Sequence, residues 1–169
     1  MIKVVFRKIT RKLVLFIINT FLCTTNFFTL KRFLLNNANI VIGDNTKVVG
    51  PIHIGTEANL IIGSNCWIGS GLIIYGNGNV KIDSNCDLAP DIAFVTGSHE
   101  IGTEFRRAGE GVSFSIRIAD GCWIGARVTI VGNVIINSSA IIGTASLVNK
   151  DVMLNTIVGG VPAKLIKNI

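Results

Sequence analysis

Few side chains in this chain of 169 residues could carry proton-transfer or nucleophilic chemistry: two histidines, His53 and His99, and four cysteines. Imidazole is the side chain best suited to accept a proton near neutral pH. His99 ends the stretch "APDIAFVTGSH" and directly precedes residues 100–117, which break an otherwise regular six-residue beat. His53, in "GPIHIG", holds the same phase of its six but has no interruption beside it. His99 is therefore read as a general base and His53 as a surface residue. Cys23, Cys66, Cys86 and Cys122 form no CxxC pair, so zinc ligation is not indicated. With two histidines the chain cannot supply a three-histidine zinc site, and no metal is expected. Cys66, Cys86 and Cys122 share one phase of the beat, as small buried side chains in a reducing compartment would.

The interruption at 100–117 exceeds the about 12–15 residues usual for a structureless loop in a compact fold. It carries Gly102, Gly109 and Gly111 for mobility, Arg106 and Arg107 for anions, and Phe105 and Phe114 for packing. It is read as an extended loop, a flap that reaches over a neighbouring subunit.

The beat itself predicts the scaffold. Ile42, Val48, Ile54, Ile62, Ile68, Ile74, Ile82, Leu88 and Phe94 recur in sixes, then Ile118, Ile124, Ile130, Ile136, Ile142, Val148 and Leu154. Glycine follows the frame residue at 43, 55, 63, 69, 125 and 143, and asparagine lies three after it at 45, 65, 85 and 133. These residues enter left-handed backbone conformations cheaply, so each six is a short strand and a corner. Three sixes make one triangular coil, and about five coils stacked at the strand spacing form an all-β prism about 24 Å tall. Two coils hold two extra residues each, placed near Leu60-Ile61 and near Asn77–Asn79. Thr46, Cys66, Cys86, Cys122 and Ala140 form an inward ladder. Trp67, Ile73, Trp123, Ile135, Ile141, Leu147 and Met153 point outward, an apolar surface that calls for a homo-oligomer.

Residues 1–36 read differently. Residues 1–35 carry seven basic side chains and no acid, against nine basic and ten acidic residues in 36–169. Ile2, Val5, Phe6, Ile9, Leu13, Phe16 and Ile17 recur at helical spacing. The segment is a basic, apolar helical unit that either packs on the first coil or makes peripheral contact with a membrane through residues 1–35. Residues 13–30 are uncharged but carry six asparagines and threonines, a poor spanning segment. The basicity is confined to this unit, so no nucleic-acid footprint is present on the main body. The expected location is cytoplasmic, with the inner face of the membrane as the alternative if the segment contacts lipid. Residues 37–167 form the second unit, a β-helix with a C-terminal tail.

The stretch "LAPDIAFVTGSHEIGTEFRRAGEGVSFSIRIADGCWIG" and the ending "IIGTASLVNKDVMLNTIVGGVPAKLIK" resemble the hexapeptide-repeat acyltransferases, in particular the galactoside and maltose O-acetyltransferase branch. The resemblance covers about residues 40–167 and omits the N-terminal unit. It implies a left-handed parallel β-helix, a homotrimer, and acetyl transfer from acetyl-CoA to a hydroxyl of a sugar or glycan. On the resemblance, His99 is the catalytic base and Trp123 lines the acceptor pocket, with Asn77 or Asn79 as the acceptor-binding asparagine. Ala126 and Ala145 match small positions along the pantetheine arm; Lys150, Lys164 and Lys167 match basic positions near the nucleotide phosphates. The branch often carries arginine where Lys164 and Lys167 stand, and lysine lacks the bidentate fork. The unusual N-terminal unit makes a glycan of the surface-polysaccharide pathways attractive as acceptor. Two other readings stay open: an N-acetyltransferase for an amino sugar or antibiotic on the same fold, and a non-catalytic β-helix scaffold. Serine acetyltransferase fits poorly, because 35 residues cannot replace its large helical domain.

Overall fold

The computed structural model describes residues 2–169, with side chains from Lys8 onward. Met1 and the side chains of Ile2, Val5 and Phe6 in the expected amphipathic helix lie outside the described residues.

The six-residue beat folds as a three-sided parallel β-helix. The first face stacks Val41–Ile42, Asn59–Ile62, Asn79–Ile82, Ser115–Ile118 and Val134–Ile136. The second stacks Lys47–Val48, Trp67–Ile68, Asp87–Leu88, Trp123–Ile124 and Ile141–Ile142. The third stacks Ile52–Ile54, Leu72–Tyr75, Ala93–Val95, Thr129–Val131 and Leu147–Val148. Five complete coils result, and Thr156–Gly159 begins a sixth on the second face. The frame residues lie directly over one another, as in Ile42↔Ile62↔Ile82↔Ile118↔Ile136. A one-residue slip would turn this whole column outward, so the register is fixed by burial.

Fifteen of the sixteen frame residues are buried; Leu154 is 56% exposed. After Val148 the beat shortens to four: Val152 pairs with Ile136 and Val158 with Ile142, and both are buried in place of the expected Leu154. The first two-residue insertion is also displaced from its expected place. Strand Asn59–Ile62 is regular, so the extra residues form the corner 55–58. The second insertion falls as expected, just after the third-face strand that ends at Tyr75.

Asn45, Asn65 and Asn85 hold one corner column at φ between +58° and +60°. Inside the prism the small-residue ladder is buried as expected. The Thr46 hydroxyl donates to Gly63 O (2.6 Å), and the thiols of Cys66, Cys86 and Cys122 donate to Asp83, Ala119 and Asn137 carbonyls, each at 3.2 Å. Hydrogen bonding to Cys86, then burial, pushes the Cys66 thiol far up. Hydrogen bonding to Cys122, with burial, pushes Cys86 up to about 11.

Outside, Asp83 is nearly buried between Lys81 (2.9 Å) and Arg117 (2.6 Å). Burial raises its pKa, but hydrogen bonds and charge from Lys81 and Arg117 outweigh that and hold the carboxyl below its usual range.

Helices α1 (Ile2–Phe21) and α2 (Phe28–Asn37) cap the N-terminal end of the prism. The segment packs on the first coil, as one of its two expected roles requires. Val14 and Ile18 of α1 and Leu35 of α2 join the core. Arg11 is 8% exposed and its guanidinium donates to the carbonyls of Ala38, Asn39, Gly55, Thr56 and Ala58. The buried Lys31 ammonium donates to Thr24 O (2.7 Å) and lies 4.8 Å from the Phe28 ring centroid. Two asparagines stand in for the coil that would precede the first. Asn19 bonds both backbone groups of Ile52 (2.8 and 2.9 Å), and Asn36 does the same to Ile42 (3.1 and 3.0 Å). No helix among the described residues is long and apolar enough to cross a membrane.

Candidate active site

The interruption after His99 is a structured arm. Gly97–Ile101 and Ala108–Ser113 pair antiparallel as a two-stranded ribbon, and the chain is back in the first face by Ser115. The irregular flap expected at 100–117 is thus a hairpin that starts two residues before His99. Its tip is open: Ile101 and Phe105 are 89% and 92% exposed.

The arm's root is pinned by backbone crowding. Thr96 is fully buried; its hydroxyl donates to Tyr75 O (2.9 Å) and accepts from Gly78 N (3.1 Å). Phe114 N donates to Thr96 O at 2.8 Å, which closes the arm on its other side. A Cβ on Gly78 would fall 2.0 Å from Phe114 O, and Gly76 sits at φ +92° against Gly97. Only glycine fits either place. The inserted "GNG" of residues 76–78 is therefore the seat from which the arm leaves.

In the ribbon His99 lies opposite Gly111, and the register shifts between His99 and Ile101. This bulge turns the Gly109 carbonyl toward the ring, with Nδ1 2.9 Å from Gly109 O. A carbonyl oxygen can only accept, so Nδ1 carries the hydrogen and the neutral ring keeps a lone pair on Nε2. The side chain is exposed and borders a cavity of about 440 Å³ lined by Tyr75, Gly76, Asn77, Gly97, Ser98, Gly111, Val112 and Ser113. A ring anchored through one nitrogen, at the wall of an open cleft, can take a proton from a bound hydroxyl.

Of the two candidate asparagines, Asn77 lines this cavity. Asn79 lies on the first face, bonded to Ser115 Oγ at 3.3 Å, and lines a separate hollow with Lys81, Arg117 and Ile135. His53 is an exposed residue within a third-face strand, away from any arm. Trp123 stands on the second face between Asp87 and Ile141, 57% exposed, and is not among the residues around His99.

The five positions matched to the cofactor are also spread over the surface. Ala126 and Ala145 share the corner between second and third faces, where Ala145 N donates to Ala126 O (2.8 Å) at φ +58°. Lys150 lines a cavity of about 260 Å³ with Met153, Ala163 and Leu165. Lys164 and Lys167 are exposed on the final strand, Lys164–Asn168, which runs antiparallel to Thr156–Gly159. None of the five lines the His99 cavity. Residue spacing gives no sign of Tyr75, Ser98 or Thr96; the glycines at 76, 78 and 97 are the one signal of the crowding at this root. No cluster of metal-ligating side chains occurs among the described residues.

No family model matches the chain. It is 37% identical over 82 residues to the galactoside O-acetyltransferase of Escherichia coli K12, which covers 48% of this chain and 40% of that protein. The chain thus spans less than half the length of this curated relative in the matched region. The fold agrees over nearly all of the chain with a hexapeptide-repeat-containing acetyltransferase of Vibrio cholerae: TM-score 0.83, 24% identity, 98% of this chain and 92% of that one. A galactoside acetyltransferase solved in complex with coenzyme A gives a TM-score of 0.76 at 24% identity, covering 98% and 82%. Over 48% of its length this chain is similar in sequence to the galactoside O-acetyltransferase, and over nearly all of its length it shares the left-handed β-helix fold of the hexapeptide-repeat acetyltransferases.

Proposed function

We propose that the protein transfers the acetyl group of acetyl-CoA to a hydroxyl of a sugar or glycan, with His99 as general base. The observation that carries this reading is the Nδ1 to Gly109 O bond, which leaves Nε2 as the proton acceptor at the wall of an open cleft. Nε2 takes the hydroxyl proton as the acceptor oxygen attacks the thioester carbonyl; the carbon–sulfur bond breaks and the proton passes to the departing thiolate. Asn77 and Tyr75 bind the acceptor in the same cleft.

Acetyl-CoA fits the residues matched to it in kind. Lys150, Lys164 and Lys167 are exposed and form no ion pair among the described residues, so their charges are available to phosphates. Ala126 and Ala145 leave their corner uncluttered for a narrow chain. These positions lie apart from His99 within one chain, which supports a homotrimer whose clefts form between neighbours. The exposed arm tip at Ile101 and Phe105 and the outward Trp123 are the surfaces such neighbours would cover.

The test is thiol release from acetyl-CoA across a panel of sugars and glycans, wild type against His99→Ala. The expected outcome is turnover on a sugar hydroxyl that falls by about 10²–10⁴ in the variant. Equal release from both proteins removes His99 from the mechanism.

A further inference from the structure

Helix α1 is apolar on two opposite sides. One side, with Val14, Ile18 and the buried Arg11, faces the first coil. On the other, Ile9, Leu13 and Phe16 follow the i, i+4, i+7 spacing of a single stripe and are 59%, 56% and 60% exposed. Phe21, 70% exposed, meets Phe16 edge-on at 6.3 Å, and Phe27, Leu30 and Phe33 add exposed apolar surface to the same cap. Folding of the cap is served by the first side; the second is left exposed among the described residues.

Charge decides what the second side faces. No acidic residue precedes Asp44, whereas seven basic ones do. Lys8 and Arg32 are ion-paired with Glu57 and Asp44, while Lys12 stays exposed beside the stripe, three residues from Ile9 and four from Phe16. Two copies meeting through this side would bring like charges together. A helix side with no acid, an exposed lysine and the exposed Ile9, Leu13 and Phe16 is instead complementary to a negatively charged interface with an apolar interior. The helix lies across the end of the prism and does not qualify to cross a bilayer.

We propose that the outer side of α1 docks on an anionic lipid bilayer, with Ile9, Leu13 and Phe16 inserted below the headgroups and Lys12 at the lipid phosphates. This inference is independent of the acetyl-transfer reading, because its readout is lipid binding alone. The experiment is flotation of the full chain with vesicles of phosphatidylcholine and phosphatidylglycerol (about 7:3), and with phosphatidylcholine alone. The wild type is expected to float with the mixed vesicles and several-fold less with the neutral ones. A triple variant, Ile9→Ser, Leu13→Ser and Phe16→Ser, is expected to lose at least about tenfold in partitioning while its thermal unfolding stays cooperative. If that variant does not fold, Leu13→Ser and Lys12→Glu singly are each expected to weaken binding at least about threefold. Wild type that stays unbound, or variants that float as well as wild type, overturns the proposal. A loss of self-association in the variant, with no flotation of either protein, overturns it in favour of contact between copies.

Discussion

The Nδ1 of His99 lies 2.9 Å from the carbonyl oxygen of Gly109, ten residues further along the same arm. The arm therefore orients its own imidazole without help from the prism. A Cβ on Gly109 would sit 2.9 Å from Glu100 O and 3.2 Å from the Gly102 Cα, so Gly109→Ala must shift the ribbon. The expected result is a fall in kcat of about tenfold to a hundredfold, the cost of a misplacement on the ångström scale. Because the arm is outside the core, the melting temperature should stay within about 2 °C. Steady-state thiol release and a thermal melt read both.

The two asparagines separate by location. Asn77 borders the His99 cavity and Asn79 does not. Asn77→Ala should raise the acceptor KM by about tenfold, in the range of a lost hydrogen bond to a substrate group. Asn79→Ala should leave acceptor kinetics unchanged. Varying acceptor at saturating acetyl-CoA distinguishes them.

Arg11 satisfies five carbonyls at the junction of α1 with the first coil. Arg11→Met removes every one of those donors and should cost about 2–4 kcal/mol. Arg11→Lys should recover only part of that, since an ammonium lacks the planar fork that reaches several oxygens. Urea unfolding of the three proteins gives the comparison.

The thiol ladder should be chemically silent. Cys66, Cys86 and Cys122 are at most 3% exposed, and the first two are held well above the ordinary thiol range. Hydrogen bonding to Cys86 lowers Cys122, but a thiolate with no access to solvent still meets no reagent. Cys23 is half-buried at the end of α1. An aromatic disulfide reagent should therefore label one thiol in the native protein and four in denaturant.

Asp83 links pH to stability. Its carboxyl is held below the usual range in the folded protein, so the stabilisation is present above the unfolded value, about 3.9, and is lost as pH falls through the folded value. Asp83→Asn should cost about 1 kcal/mol at neutral pH, given half-exposed partners. The difference from wild type should shrink below about pH 4. Thermal melts from pH 7 to pH 3 follow it.

The scaffold was largely legible because one physical constraint repeats. Every sixth side chain must fill a narrow prism, so an apolar residue in that phase is a direct record of the coil, as in the column from Ile42 to Ile136. The beat stops predicting positions where that constraint relaxes. At the last coil only one layer remains above, and the register moves from Leu154 to Val152 and Val158. The arm carries no core-facing beat; its antiparallel pairing rests on glycines and backbone contacts, and the residues at 100–117 read as loop. Thr96 was invisible for a similar reason, since its role is to hold two backbone segments that are distant in sequence. The positions of Trp123 and the matched lysines depend on three-dimensional placement that residue spacing within one chain does not encode.

The amide caps of Asn19 and Asn36 have a further consequence. A stack of parallel rungs with an open end is a template for the next rung, whichever molecule supplies it. Here the two side chains occupy the hydrogen-bonding edges at Ile52 and Ile42, and at the far end the reversed strand Lys164–Asn168 presents the wrong polarity for parallel growth. The molecule thus carries a terminator at each end, which limits a potentially endless filament to a particle of defined height.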